Sequence, residues 1–244
     1  MVRSKADIIA QLQKDILPLQ GFKTAGRYVP KVDLGIINHV FPNNTFPTGT
    51  IHEFISYGKE DSVASAGFVA GIMGMLMKGG GITAWITMVP VLYPPALISF
   101  NINPANILMI KVSKEKDLLW TAEEVLKCEG LAAVVLEMRE LDFNTSRRLQ
   151  LIVERSRVTG FILREQPRRL ITTASIARWQ ITSAGSILTE KDMPGVGHPA
   201  WKVELLKLRN GKPGSWKLYW SNKKFQLVKH HETQMITEEK RKAG

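Results

Sequence analysis

Ile51-His52-Glu53-Phe54-Ile55-Ser56-Tyr57-Gly58-Lys59-Glu60-Asp61-Ser62-Val63, running on to Met77, is the stretch whose reading decides the fold. Ile51 to Ile55 reads as a short strand, Ser56 to Ser62 as a loop, and Val63 to Met77 as a helix. The helix carries Ala64, Gly67, Ala70, Gly71 and Gly74 on the side expected to lie against a sheet. Strand, loop and helix in this order frame a P-loop, whose working form is G-x-x-x-x-G-K-[ST]. In that form the glycines let backbone N–H groups wrap the phosphates, the Lys reaches the terminal ones, and the hydroxyl holds Mg²⁺. Here Ser56, Tyr57, Gly58, Lys59, Asp61 and Ser62 make a degenerate version. A single glycine remains, Asp61 and Ser62 stand about where the second glycine and the lysine belong, and Val63 follows. A carboxylate repels phosphate, and valine cannot hold a metal. No cofactor is therefore expected: ATP should bind no tighter than about millimolar, without hydrolysis.

Outward from this stretch, helices alternate with apolar runs. Ile82–Thr87, Ile107–Ile110, Leu131–Glu137 and Gly160–Leu163 read as buried strands, since strands covered on both faces are continuously apolar. Pro94–Phe100 reads as a short helix, and Lys114–Glu129 and Asp142–Arg157 as amphipathic ones. Such alternation implies βαβ units and a mostly parallel sheet flanked by helices. Past Arg178 the pattern changes to alternating strands, Arg178–Thr182, Trp201–Leu208 and Ser215–Trp220, with the turn Asn210-Gly211-Lys212-Pro213-Gly214 between the last two. The sheet is expected to end antiparallel. Residues 1–28 read as an amphipathic helix and linker, 29–222 as the core, and 223–244 as a basic, polar tail.

Within 244 residues, 33 Lys and Arg face 22 Asp and Glu, a formal charge of +11 that favours nucleic acid or an acidic protein as partner. The single cysteine, Cys128, excludes an internal disulfide and fits a reducing cytoplasm. Its place among Leu118, Leu119, Trp120, Val125 and Leu126 puts it in the core. Five scattered histidines have no ligand spacing, so no metal site is expected. Gly79 to Ile110 carries no charge, but Pro90, Pro94, Pro95 and Pro104 break it, which argues against a membrane span. Met1 to Gln20 lacks the apolar core of a signal peptide.

The layout and several motifs resemble the RecA core and, within it, the ImuA family of error-prone repair proteins. Phe46-Pro47-Thr48-Gly49-Thr50-Ile51-His52-Glu53-Phe54 resembles the strand entering the RecA P-loop, and Leu97 to Leu108 the segment before the third core strand. Closest to ImuA are Glu140 to Gln150, Ala174-Ser175-Ile176-Ala177-Arg178-Trp179, and Gly197 to Leu206 continuing through Gly211 to Trp216. The resemblance implies a RecA-like P-loop NTPase core, mostly parallel, with antiparallel C-terminal strands. It also implies a non-catalytic accessory protein of SOS-induced mutagenesis and translesion synthesis. The partners implied are an ImuB-type Y-family polymerase relative, a DnaE-type error-prone polymerase and RecA. An ATP-dependent DNA-binding RecA paralogue and a SulA-like inhibitor of cell division are the alternatives.

The resemblance also assigns residues. Glu137 stands at the Walker B place, and its alternatives are metal contact or a strand end facing solvent or a helix cap. Met88-Val89-Pro90 stand where RecA proteins carry the catalytic Glu. Glu165-Gln166 resembles an Asn-Gln pair in which the glutamine senses the terminal phosphate, an ordinary loop being the competing reading. Lys207 and Arg209 match an element that reaches the nucleotide of the neighbouring protomer in RecA filaments, against a plain solvated strand edge. Arg164, Arg168, Arg169 and Arg178 surround the counterpart of the second DNA-binding loop. With no aromatic before Trp179, any single-stranded DNA binding there is expected to be weak and salt-sensitive.

Overall fold

Alternating apolar runs become nine strands of one sheet in the computed structural model, which describes residues 31–78, 80–89, 92–187 and 197–228. In chain order the elements are β1 (Ile51–Ser56), α1 (Lys59–Leu76), β2 (Ile82–Thr87), β3 (Ile107–Lys111), α2 (Glu115–Leu126), β4 (Leu131–Met138), α3 (Phe143–Ser156) and β5 (Thr159–Glu165). They continue with β6 (Ala177–Ile187), β7 (His198–Leu208), β8 (Gly214–Ser221) and β9 (Lys224–Leu227). The order across the sheet is β3-β2-β4-β5-β1-β6-β7-β8-β9. Pairing is parallel from β3 to β6 and antiparallel from β6 to β9, as the change of pattern after Arg178 requires. The expected N-terminal helix, residues 1–28, lies outside the described residues. Among those described, no helix is long and apolar enough to cross a membrane.

The two faces of the sheet are built from different side chains. On one, α1 lies in a cluster that includes Phe46, Phe54, Phe68, Trp85, Trp179 and Trp201. Phe68 meets Phe54 and Trp179 of the central strands, and also Trp201 of β7 and Phe225 of β9. Strands far apart in the sheet thus touch one side chain, so the sheet curves around α1. On the other face, α2 and α3 cover an aliphatic cluster around Ile51, Ile86, Leu118, Leu136, Leu149 and Ile162, with no aromatic in it. The N-cap of α3 is Asp142, whose Oδ1 accepts from Thr145 N at 2.8 Å; Arg157 ends the helix in the left-handed region at φ 67°.

Four expectations need correction. The helix after β1 begins at Lys59, a turn earlier than Val63, because Glu60 and Asp61 suit a first turn and lie inside it. The small residues of α1 do not all face the central sheet: a Cβ on Gly71 would lie 2.5 Å from Phe225, and one on Gly74 would strike the Phe100 carbonyl. Cys128 is exposed, since α2 stops at Leu126 and the apolar stripe does not extend to it. The polar tail starts later than residue 223, because Phe225 in β9 is only 6% exposed.

Candidate functional site

At the carboxyl end of β1 the connection to α1 consists of Tyr57 and Gly58. Gly58 is the N-cap, extended at φ −132°, and its carbonyl accepts the first helical bond from Ser62 N at 3.0 Å. Lys59, Asp61 and Ser62 therefore belong to the first turn of α1 and not to a loop. Ser56 is buried, its hydroxyl paired with that of Ser65 at 3.0 Å. Asp61 Oδ1 accepts from Ser183 N at 3.4 Å, tying the helix start to β6. A phosphate cradle needs several backbone N–H groups curled round an anion. Here two residues separate strand from helix, and Glu60 and Asp61 lie in the helix's first turn.

Glu137 points to the α1 face, where both carboxylate oxygens are engaged. Trp85 Nε1 donates to Oε1 at 2.7 Å and Thr87 Oγ1 to Oε2 at 2.6 Å. Burial raises its pKa, the two hydrogen bonds oppose that, and nearby Glu165 adds to it. The side chain joins β4 to β2, an arrangement absent from both alternatives weighed for it. Met88 and Val89, beside it, are exposed.

The densest polar arrangement lies on the opposite face, and its centre, Glu53, is a residue for which the sequence suggested no role. Glu53 is fully buried. Arg164 Nη1 donates to its Oε1 at 2.5 Å, while Arg178 Nε and Thr173 Oγ1 donate to Oε2 at 2.9 and 2.8 Å. These groups lie under the Gln166–Ile176 connection, which crosses from the end of β5 back to the start of β6. The connection is held by its own carbonyls: Arg164 reaches that of Arg169 (3.5 Å), Arg178 that of Ile171 (2.6 Å), Lys207 that of Thr173 (3.4 Å) and Arg209 that of Ala174 (2.7 Å). From the other side Ser146 Oγ accepts from Ala174 N at 2.9 Å and Glu140 Oε1 from Arg168 N at 2.9 Å.

This arrangement corrects several site expectations. Arg164, 1% exposed, and Arg178, whose side chain is 12% exposed, serve the Glu53 network and are not offered to a nucleic-acid backbone. Lys207 and Arg209 bond this chain's own connection and do not stand free on a strand edge. A register shift between Arg178 and Trp179 places Lys207 opposite Arg178, on the network's face. Gln166 acts through its backbone, donating to the Ser56 carbonyl at 2.7 Å and accepting from Arg139 at 2.9 Å, at φ 47°. Arg168 and Arg169 alone of the four arginines remain exposed. A signal for Glu53 did exist: a carboxylate inside a continuously apolar strand must find a cation, and Arg164 sits in another such strand.

No protein-family profile matches the chain. The crystal structure of the RadB recombinase superposes on it with a TM-score of 0.56 at 10% identity, covering 82% of this chain and all of that one. This likeness, with the strand order above, makes the fold RecA-like. Protein ImuA of Caulobacter vibrioides, in two strains, is 33% identical over 192 residues, which is 74% of this chain and 78% of the relative. At that identity and coverage the chain belongs to the ImuA family.

Proposed function

We propose that this protein is a non-catalytic, RecA-like accessory factor of SOS-induced mutagenesis. In this reading it works by holding an ImuB-type polymerase relative, a DnaE-type error-prone polymerase and RecA together near damaged DNA. The observation that carries the non-catalytic part is the β1–α1 connection, reduced to Tyr57 and Gly58. Family membership supports the mutagenesis part. Protein binding is favoured over direct DNA binding because only Arg168 and Arg169 of the basic loop set are exposed. Calorimetric titration with Mg·ATP tests the first part: no binding tighter than about millimolar is expected. Micromolar binding that Lys59→Ala or Ser62→Ala abolishes would restore the ATPase reading. Deleting the gene should reduce damage-induced mutation, and unchanged mutation would remove the second part.

A further inference from the structure

On the side away from α1, the two halves of the sheet are covered differently. There α2 and α3 close over an aliphatic cluster from the parallel half, and no residue of β6–β9 belongs to it. Alternation along the antiparallel strands sends Trp201, Leu218, Trp220 and Phe225 into the core around α1 and turns Lys202, Lys217 and Lys224 the other way. The apolar side chains that share the lysines' face, Ile187, Ala200 and Tyr219, are buried against one another. Among the described residues, neither helix shares an apolar cluster with this half, so its outer face is open.

This half is strongly cationic. Residues 177–228 hold nine basic and three acidic residues, and so carry +6 of the chain's formal +11. Arg178, Lys207 and Arg209 are held by Glu53 and by the β5–β6 connection. Two of the acids, Glu190 and Asp192, flank Lys191 in the β6–β7 connection. The third, Glu204, lies on the open face with Lys202 Nζ 3.0 Å away. Among the described residues no carboxylate comes within ion-pair distance of Lys212, Lys217, Lys223 or Lys224. The β7–β8 register also sets Lys202 directly opposite Lys217. Like charges so placed destabilise a sheet, and Glu204 relieves only one of the two. An anion lying across the pair would relieve both.

The shape and chemistry of the face select among anions. A protein partner needs large apolar side chains to bury at the centre of an interface. Among the described residues, the exposed ones of β6, β7 and β8 come down to Leu206. Single-stranded nucleic acid needs aromatic platforms on which its bases stack, and Tyr219 is only 9% exposed. A duplex needs neither, because cations hold its phosphates without regard to sequence. β8 is about 23 Å long at roughly 3.3 Å per residue. Lys217 stands midway along it, Lys212 lies beyond one end, and Lys223 and Lys224 lie beyond the other. That length matches about seven base pairs at roughly 3.4 Å each. We infer that the open face of β6–β9 docks the phosphate backbone of duplex DNA, through Lys202, Lys212, Lys217, Lys223 and Lys224. This adds to the mutagenesis reading a DNA contact outside the basic loop set, and its failure would leave that reading intact.

The test uses the full chain and fluorescence anisotropy across a salt series. The probes are a short labelled DNA duplex of mixed sequence, labelled oligothymidine and a labelled oligoglutamate peptide. The duplex should bind most tightly, with a log–log salt slope of about −3 to −4. K217E/K224E should weaken it about tenfold or more at low salt and make the slope shallower by about two. K217Q/K224Q, which introduces no acid, should move both readings the same way by less, and so decides the matter if the first variant does not fold. R168E/R169E, on the β5–β6 connection, should leave duplex binding within about twofold of wild type. No duplex binding up to about 100 µM at low salt would overturn the inference. So would duplex binding that both lysine variants leave unchanged, or that R168E/R169E abolishes. Oligothymidine bound more tightly than the duplex would make this a single-strand surface, and oligoglutamate bound more tightly would make it a surface for acidic protein; either result overturns the inference.

Discussion

His52 and Glu53 are neighbours in β1, yet one points to each face of the sheet, and the two faces treat a buried titratable group in opposite ways. On the aromatic face His52 stacks on Phe46 at 4.4 Å, with Nε2 2.7 Å from the Pro47 carbonyl and Nδ1 accepting from Trp179 Nε1 at 3.4 Å. Burial lowers its pKa to about 4, so it stays neutral. On the other face Glu53 is joined to two guanidinium groups and a hydroxyl. One strand thus anchors an oily core on one side and an ionic lattice on the other. The lesson is that a cation's type says little about its task. Four basic residues that read as ligand-binding hold a connection in place, and of the six such residues only Arg168 and Arg169 are exposed.

Removing the centre of the lattice should break the contrast most severely. Glu53→Ala leaves the buried Arg164 with only Glu140, 3.6 Å away, as counter-ion and should cost about 3–5 kcal/mol in urea unfolding. Arg178→Ala should cost less, because Arg164 still meets the carboxylate. If both variants match wild-type stability, the lattice is not what holds this face.

The aromatic face predicts a pH effect of the same order. His52 ordinarily titrates at 6.5 and here at about 4, so the unfolded chain takes up the proton first. Its contribution to stability is complete above pH 6.5 and is lost as pH falls through 4. By pH 4 the loss is about 3 kcal/mol. His52→Gln should remove that component of the pH dependence between pH 7 and 4. An unchanged pH profile in the variant would assign the loss to other groups.

The smallest effects should separate engaged cations from exposed ones on the same connection. Arg209→Ala removes a charged donor from the Ala174 carbonyl and should cost about 1.5–3 kcal/mol. Arg168→Ala with Arg169→Ala should stay within about 0.5 kcal/mol of wild type. Equal costs would erase the distinction drawn from the geometry.

The sequence by itself determined the elements and their order. Ile82–Thr87 emerges as a strand with the bounds read from its apolar run, and Asp142 and Arg157 bracket α3 as its amphipathic stripe suggested. The change from parallel to antiparallel pairing after Arg178 was legible in the shift from continuous to alternating apolar residues. These features follow from local periodicity, which a chain displays without reference to its distant parts. The ImuA-like motifs were likewise readable as strings. Only the tertiary structure decided which side chains are free. Glu53 meets Arg164 across 111 residues of sequence and Arg178 across 125, and no periodicity encodes such a pairing. The β1–α1 connection shortened because two carboxylates fit a helix's first turn better than a loop. Cys128 fell outside α2 and Phe225 into the core because burial depends on where a helix ends and how far a sheet curves around α1.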